Sequence, residues 1–260
     1  MAYENILFER RDNIAIVTIN RPKALNALNF DALKELSQAF DEIKEDSTIK
    51  VVILTGAGEK AFVAGADISD LVTFSSLDGR SFAHLGQATI RKLELLPQPV
   101  IAVIKGFALG GGCELSLGCD IRLAGENAKL GLPEVNLALC PGFGGTQRLP
   151  RLVGTANASL LTFTADIIDA NEALRIGLIN QIHPVDKVMD EALALAAKIA
   201  TKGPVAIQQA KSAIQRGINM AMDDALAYEA EAFSILFSTS DQKEGCSAFL
   251  EKRKAQFKGQ

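Results

Sequence analysis

Short apolar runs of strand length alternate with helical stretches up to about residue 187, and beyond that no strand pattern remains. A chain patterned this way is restricted to an α/β core of layered strands and helices, followed by an all-helical region. Residues 6–10 and 14–19 read as two strands around the polar turn Arg11-Asp12-Asn13. Asn29 is placed to cap a helix whose apolar stripe is Phe30, Leu33, Leu36, Phe40 and Ile43. Residues 51–55 and 100–104 are continuous β-branched runs, the pattern of strands covered on both faces, with a helical stripe of Phe82, Leu85, Ile90 and Leu93 between them. A further helix is predicted to start near Gly111 and to be followed by a strand at 121–124. Residues 172–176 read as helix stopped by Gly177, with Leu178-Ile179 as the next strand. Helices are then predicted over 188–200, from Pro204 onward, over 220–237 and over 241–254. Four consecutive helices need a surface to pack on. No sequence repeat of fixed period is present.

Composition removes several function classes. With 260 residues, 48% of them hydrophobic, the chain can bury a large core. Net charge is −4 and Trp is absent, which argues against a nucleic-acid partner read by basic patches or base stacking. The four cysteines form no CxxC pair and the two histidines, His84 and His183, lie far apart, so no metal site is expected. No leader peptide and no apolar run of membrane-spanning length is read, and a cytoplasmic protein is expected.

Glycine clusters narrow the field further. Gly56-Ala57-Gly58-Glu59-Lys60-Ala61 fits a relaxed dinucleotide fingerprint, but residues 62–66 lack the helical pattern such a turn must open. Gly110-Gly111-Gly112-Cys113-Glu114 follows a strand and opens a helix, so its backbone N–H groups face outward at a positive dipole end. The small residues around Ala66 make a second such place. Two loops that each aim one amide at a shared oxygen would form an oxyanion hole. A third glycine loop, residues 141–146, is expected to shape the neighbourhood without adding a titratable group.

Two carboxylates stand among apolar neighbours. Glu114 falls in the first helical turn and Glu134 follows the stiff Leu132-Pro133 step. Two acids in one apolar pocket can flank a water and transfer protons near neutral pH. The alternative is structural: Glu114 caps its own helix, and Glu134 pairs with Arg148 or Arg122. Cys113 lacks a positioned base that would make it a nucleophile, and no G-x-S-x-G supports a hydrolase.

These residues resemble the crotonase (enoyl-CoA hydratase/isomerase) family along the whole chain. The resemblance is carried by residues 20–27, 61–68, 106–114, Pro133-Glu134, 141–148 and 248–254, and looks greatest to bacterial short-chain members acting on crotonyl-CoA. It implies an α/β fold, a spiral of repeated β-β-α units over residues 1–198, and a helical trimerisation region over 199–260. It implies an acyl-CoA substrate, no separate cofactor, no metal, and a homotrimer or homohexamer. By resemblance, Glu114 and Glu134 are catalytic, and the N–H groups of Ala66 and Gly111 hold the thioester oxygen. Lys23, Ala24, Ala64, Asp67 and Ile68 would line the CoA path, with Phe233 and Lys252 reaching the CoA of an adjacent subunit.

Reversible hydration of short trans-2-enoyl-CoA in fatty-acid metabolism is the activity so implied. Leu132 stands where many hydratases carry Gln, and Asn136 and Cys140 also depart from the family pattern, which bears on acyl preference. A Δ3-Δ2-enoyl-CoA isomerase using Glu134 alone, and a non-catalytic CoA-binding scaffold, are the other readings.

Overall fold

In a computed structural model, which describes residues 3–260, the chain winds through two sheets. β1 (Ile6–Arg11) and β2 (Ile14–Ile19) form an antiparallel hairpin, and α1 (Phe30–Glu45) follows, capped by the Asn29 side chain on the Ala32 N–H. β3 (Val51–Gly56) then enters the first sheet and β4 (Ala61–Ala64) the second, before α2 (Ile68–Leu71) and α3 (Ser76–Leu95). The same sequence of moves recurs with β5 (Val100–Ile104), β6 (Phe107–Leu109) and α4 (Gly111–Leu117). It recurs again with β7 (Ile121–Gly125), β8 (Lys129–Gly131), a 3-10 turn at Pro133–Leu137, and α5 (Gly145–Thr164). β9 (Ile168–Asp169), α6 (Ala170–Arg175) and β10 (Gln181–His183) close the spiral. The six-stranded sheet runs β1-β2-β3-β5-β7-β10 and the four-stranded one β4-β6-β8-β9. This is the expected α/β spiral of β-β-α units.

The continuous apolar strands are explained by layers on both sides. Val52, Leu54, Val100, Ala102 and Ile104 face the main core with α1 and α3. Val51, Ile53, Ile101 and Val103 face the other way, onto α7 (Val188–Ala200). α7 presents Val188, Ala192, Ala196 and Ala200, small residues at four-residue spacing that let the helix sit close on the sheet. α8 (Pro204–Gly217), α9 (Met222–Ile235) and α10 (Ser240–Leu250) complete the strand-free region. Buried Lys211 ties α8 to the core through Asp120 at 2.7 Å and the carbonyls of Leu93 and Gln98.

Three sequence expectations need correction. Leu178-Ile179 is not a strand: both amides turn back to the Ala173 carbonyl after α6, and pairing resumes only at Gln181. The helix expected over 220–237 ends at Ile235 and tightens into a 3-10 turn over Leu236–Ser238. The last helix stops at Leu250 rather than running to 254, because Lys252 takes a left-handed conformation (φ 55°) that reverses the chain.

Candidate active site

Three parallel strands, β4, β6 and β8, lie side by side and end together. Ala64 pairs with Leu109, and Leu109 with Gly131. Their C-terminal ends therefore deliver Ala66, Gly111 and Glu134 to one place, each two or three residues beyond its strand. The loop at Gly110 is close enough to the 64–66 loop that a Cβ on Gly110 would lie 3.7 Å from the Gly65 Cα. Gly111 is the first residue of α4, whose first hydrogen bond runs from the Glu114 N–H to the Gly110 carbonyl. The Gly111 amide thus has no acceptor within its own helix. Gly110 must be glycine: its backbone (φ 50°, ψ −124°) suits no L side chain, and a Cβ there would meet Glu134 Oε1 at 2.9 Å.

Glu114 projects from the first turn of α4 and is 1% exposed. It does not cap its own helix. Its Oε1 accepts the N–H of Phe143 at 2.8 Å and of Gly145, the first residue of α5, at 2.7 Å. Burial raises its carboxyl, as does the nearby Glu134 charge, while the two amides and Arg148 oppose the rise. The net result is about 7. Glu134 is also raised, chiefly by burial. Its Oε2 is buried with no hydrogen-bond partner among the described residues. A buried carboxylate oxygen left without a donor is costly unless a water or substrate atom meets it.

The structural alternatives for the two acids fall away. Arg148 pairs with Glu94, not Glu134. Arg122 is buried on the carbonyls of Leu178, Ser116 and Cys119. Cys113 is buried and its thiol is pushed up to about 12, first by burial and then by Glu114, so it is no nucleophile. The Gly56–Ala61 stretch joins β3 to β4 and opens no helix, as a dinucleotide turn would.

The expected CoA-lining residues divide into two groups. The 22–28 segment lies along the 64–67 loop: Ala64 N–H donates to Leu25 O, Leu28 bridges Ala66 in parallel, and Asp67 N–H donates to Leu28 O. This brings the turn holding Lys23 and Ala24 beside Ala64, Asp67 and half-exposed Ile68. Asp67 caps α2 through Ser69 and pairs with Arg21 at 3.0 Å; Ser69 foremost holds its carboxyl below the usual range. Phe233 and Lys252 belong to the C-terminal helical layer instead. Phe233 is exposed on α9 against the Phe237 ring, and Lys252 follows α10. Leu132 is fully buried near Glu114, whereas Asn136 and Cys140 are exposed. Sequence reasoning undervalued the 141–146 loop, which supplies both donors to Glu114. The arginine two residues beyond it was the available signal.

No cluster of side chains suited to a metal ion occurs among the described residues, and no helix there is long and apolar enough to cross a membrane.

The family model for enoyl-CoA hydratase/isomerase matches residues 9–260. A short-chain-enoyl-CoA hydratase of Clostridium acetobutylicum is 54% identical over 254 residues, covering 98% of this chain and 97% of that protein. A crotonyl-CoA hydratase of Syntrophomonas wolfei is 50% identical, covering 99% of each. The crystal structure of an enoyl-CoA hydratase from Bacillus anthracis superposes with a TM-score of 0.96 at 43% identity, over 99% of this chain and 100% of that one.

Proposed function

Because this chain belongs to the enoyl-CoA hydratase/isomerase family, we propose that it is a hydro-lyase that adds water reversibly to short trans-2-enoyl-CoA thioesters such as crotonyl-CoA. The observation that carries the reading is buried Glu114 with half-buried Glu134 close enough to raise it, both beside the first-turn amide of α4. Glu134 alone would serve an isomerase; two acids with raised pKa values suit a reaction that moves two protons.

The amides of Ala66 and Gly111 are assigned to the thioester oxygen. Charge gathers there as the C2–C3 double bond is attacked, and each such donor is typically worth about 10²–10³ in rate. Ionised Glu114 takes a proton from the water as its oxygen bonds to C3. Protonated Glu134 gives a proton to C2. Atoms and charge balance without a redox or metal partner, so no cofactor is assigned beyond the coenzyme A of the substrate. Lys23, Ala24, Ala64, Asp67 and Ile68 are assigned to the CoA path, and Phe233 and Lys252 to a neighbouring subunit's CoA.

Residues 1–198 are assigned as the catalytic spiral and 199–260 as the association region of a homotrimer or homohexamer. Exposed Ile214, Ile218, Phe233, Phe249 and Leu250 on those helices support association. Four free thiols fit a reducing cytoplasm. The test is loss of enoyl-thioester absorbance with crotonyl-CoA. Turnover is expected; none across several acyl lengths, with CoA still bound, would leave a scaffold. Retained activity of Glu114→Gln on a 3-enoyl-CoA would leave an isomerase.

A further inference from the structure

The turn 143–145 that feeds two amides to Glu114 is itself gripped from its far side. The Arg148 guanidinium donates from Nη1 to the Phe143 carbonyl at 2.7 Å and from Nε to Glu94 Oε1. It lies so close across Gly144 (φ 104°) that a Cβ there would meet Nη1 at 2.1 Å. Glu94, near the end of α3, is held in turn by Arg91 at 2.6 Å. Both members of the Glu94–Arg148 pair are largely buried, with side-chain exposures of 10% and 17%. The Phe143 ring is wedged against Phe82 at 5.1 Å and leaves the turn little room to drift.

We propose that Arg148, anchored by Glu94, is a positioning residue for Glu114: it fixes the turn so that the amides of Phe143 and Gly145 converge on one carboxylate oxygen. The inference rests on the hydratase reading for its kinetic consequence, but not for its structural one. The guanidinium acts on Glu114 in two ways. It sets the donor geometry through the Phe143 carbonyl, and its positive charge favours the ionised carboxylate. The ionisable groups around Glu114 are Glu134 from the 3-10 turn, Arg148 from α5 and Cys113 beside it on α4. Glu134 opposes ionisation, Cys113 stays neutral, and Arg148 supplies the favourable charge. Surface ion pairs do little, but this one is enclosed and joins three elements.

The experiment compares wild type with Arg148→Gln, Arg148→Lys and Glu94→Gln. The acid limb of kcat/KM against pH is expected to move up by about one pH unit in Arg148→Gln, with kcat falling about tenfold and KM changing little. Arg148→Lys should recover the limb's position but not all of kcat, since it keeps charge and loses the fork. Glu94→Gln, which frees the guanidinium from its anchor, should lower kcat in the same way by less. The carbonyl band of protonated Glu114, identified by its loss in Glu114→Gln, reads the same titration by infrared difference spectroscopy without turnover. If Arg148→Gln fails to fold, Arg148→Lys and Glu94→Gln carry the test. Unchanged Glu114 titration in folded Arg148→Gln or, where that variant does not fold, unchanged kcat in both Arg148→Lys and Glu94→Gln overturns the inference. Absence of wild-type turnover with a shifted band overturns only the hydratase reading.

Discussion

Replacing Glu114 by Gln should stabilise the protein at alkaline pH while disabling it. The carboxyl is 1% exposed and its pKa is raised from 4.5 to about 7. A carboxylate raised in the folded state contributes stability that is whole below the unfolded value and is lost as pH climbs through the folded one. The window is therefore pH 4.5 to 7, and the difference of about 2.5 pKa units, at about 1.36 kcal/mol each, amounts to about 3 kcal/mol. Gln keeps an oxygen able to accept from Phe143 and Gly145 and never ionises, so the variant escapes this loss. Urea unfolding at fixed protomer concentration, repeated from pH 4 to pH 8.5, isolates the effect as variant minus wild type. That difference should grow by about 3 kcal/mol in the variant's favour across the window. A difference flat with pH would refute the reasoning, since it would mean that Glu114 is not buried with a raised pKa. The same substitution should cost about 10²–10⁴ in kcat.

Gly110→Ala forces a non-glycine residue into φ 50° and sets a methyl 2.9 Å from Glu134 Oε1, so activity should fall at least about a hundredfold with about 1–3 kcal/mol of stability lost. Kinetics and thermal melts on the same sample check this. Lys211→Met strands Asp120 beside α8 and should cost about 3–5 kcal/mol in unfolding experiments. Light scattering at micromolar concentration should give a mass of at least three protomers, because the apolar residues left on α8 and α10 need covering; a monomer would contradict the role given to 199–260.

Five strands of the large sheet were legible in the sequence because they are five or six residues long, enough for pattern to register, whereas β10 has three and was misplaced at Leu178-Ile179. The small sheet was not legible from pattern alone. β4, β6 and β8 have three or four residues each, below any periodicity, and no strand was read at their positions. Yet those are the strands that assemble the site. The β-β-α recurrence left no sequence repeat because each turn needs only an apolar strand, a short partner and a helix, which many residues satisfy. Glu114 and Glu134 stood out because a charged residue amid Leu and Gly is anomalous locally. The Glu94–Arg148 clamp could not stand out: its members are 54 positions apart, and each looks like an ordinary surface charge until the fold encloses it.

The central claim is that the two acids serve one water as a unit. A double-mutant cycle in kcat/KM for crotonyl-CoA, using Glu114→Gln, Glu134→Gln and both together, addresses it directly. The account predicts that the double variant is little worse than the poorer single one, as groups acting together show. Losses that multiply would mean that the carboxylates work independently, and would contradict it.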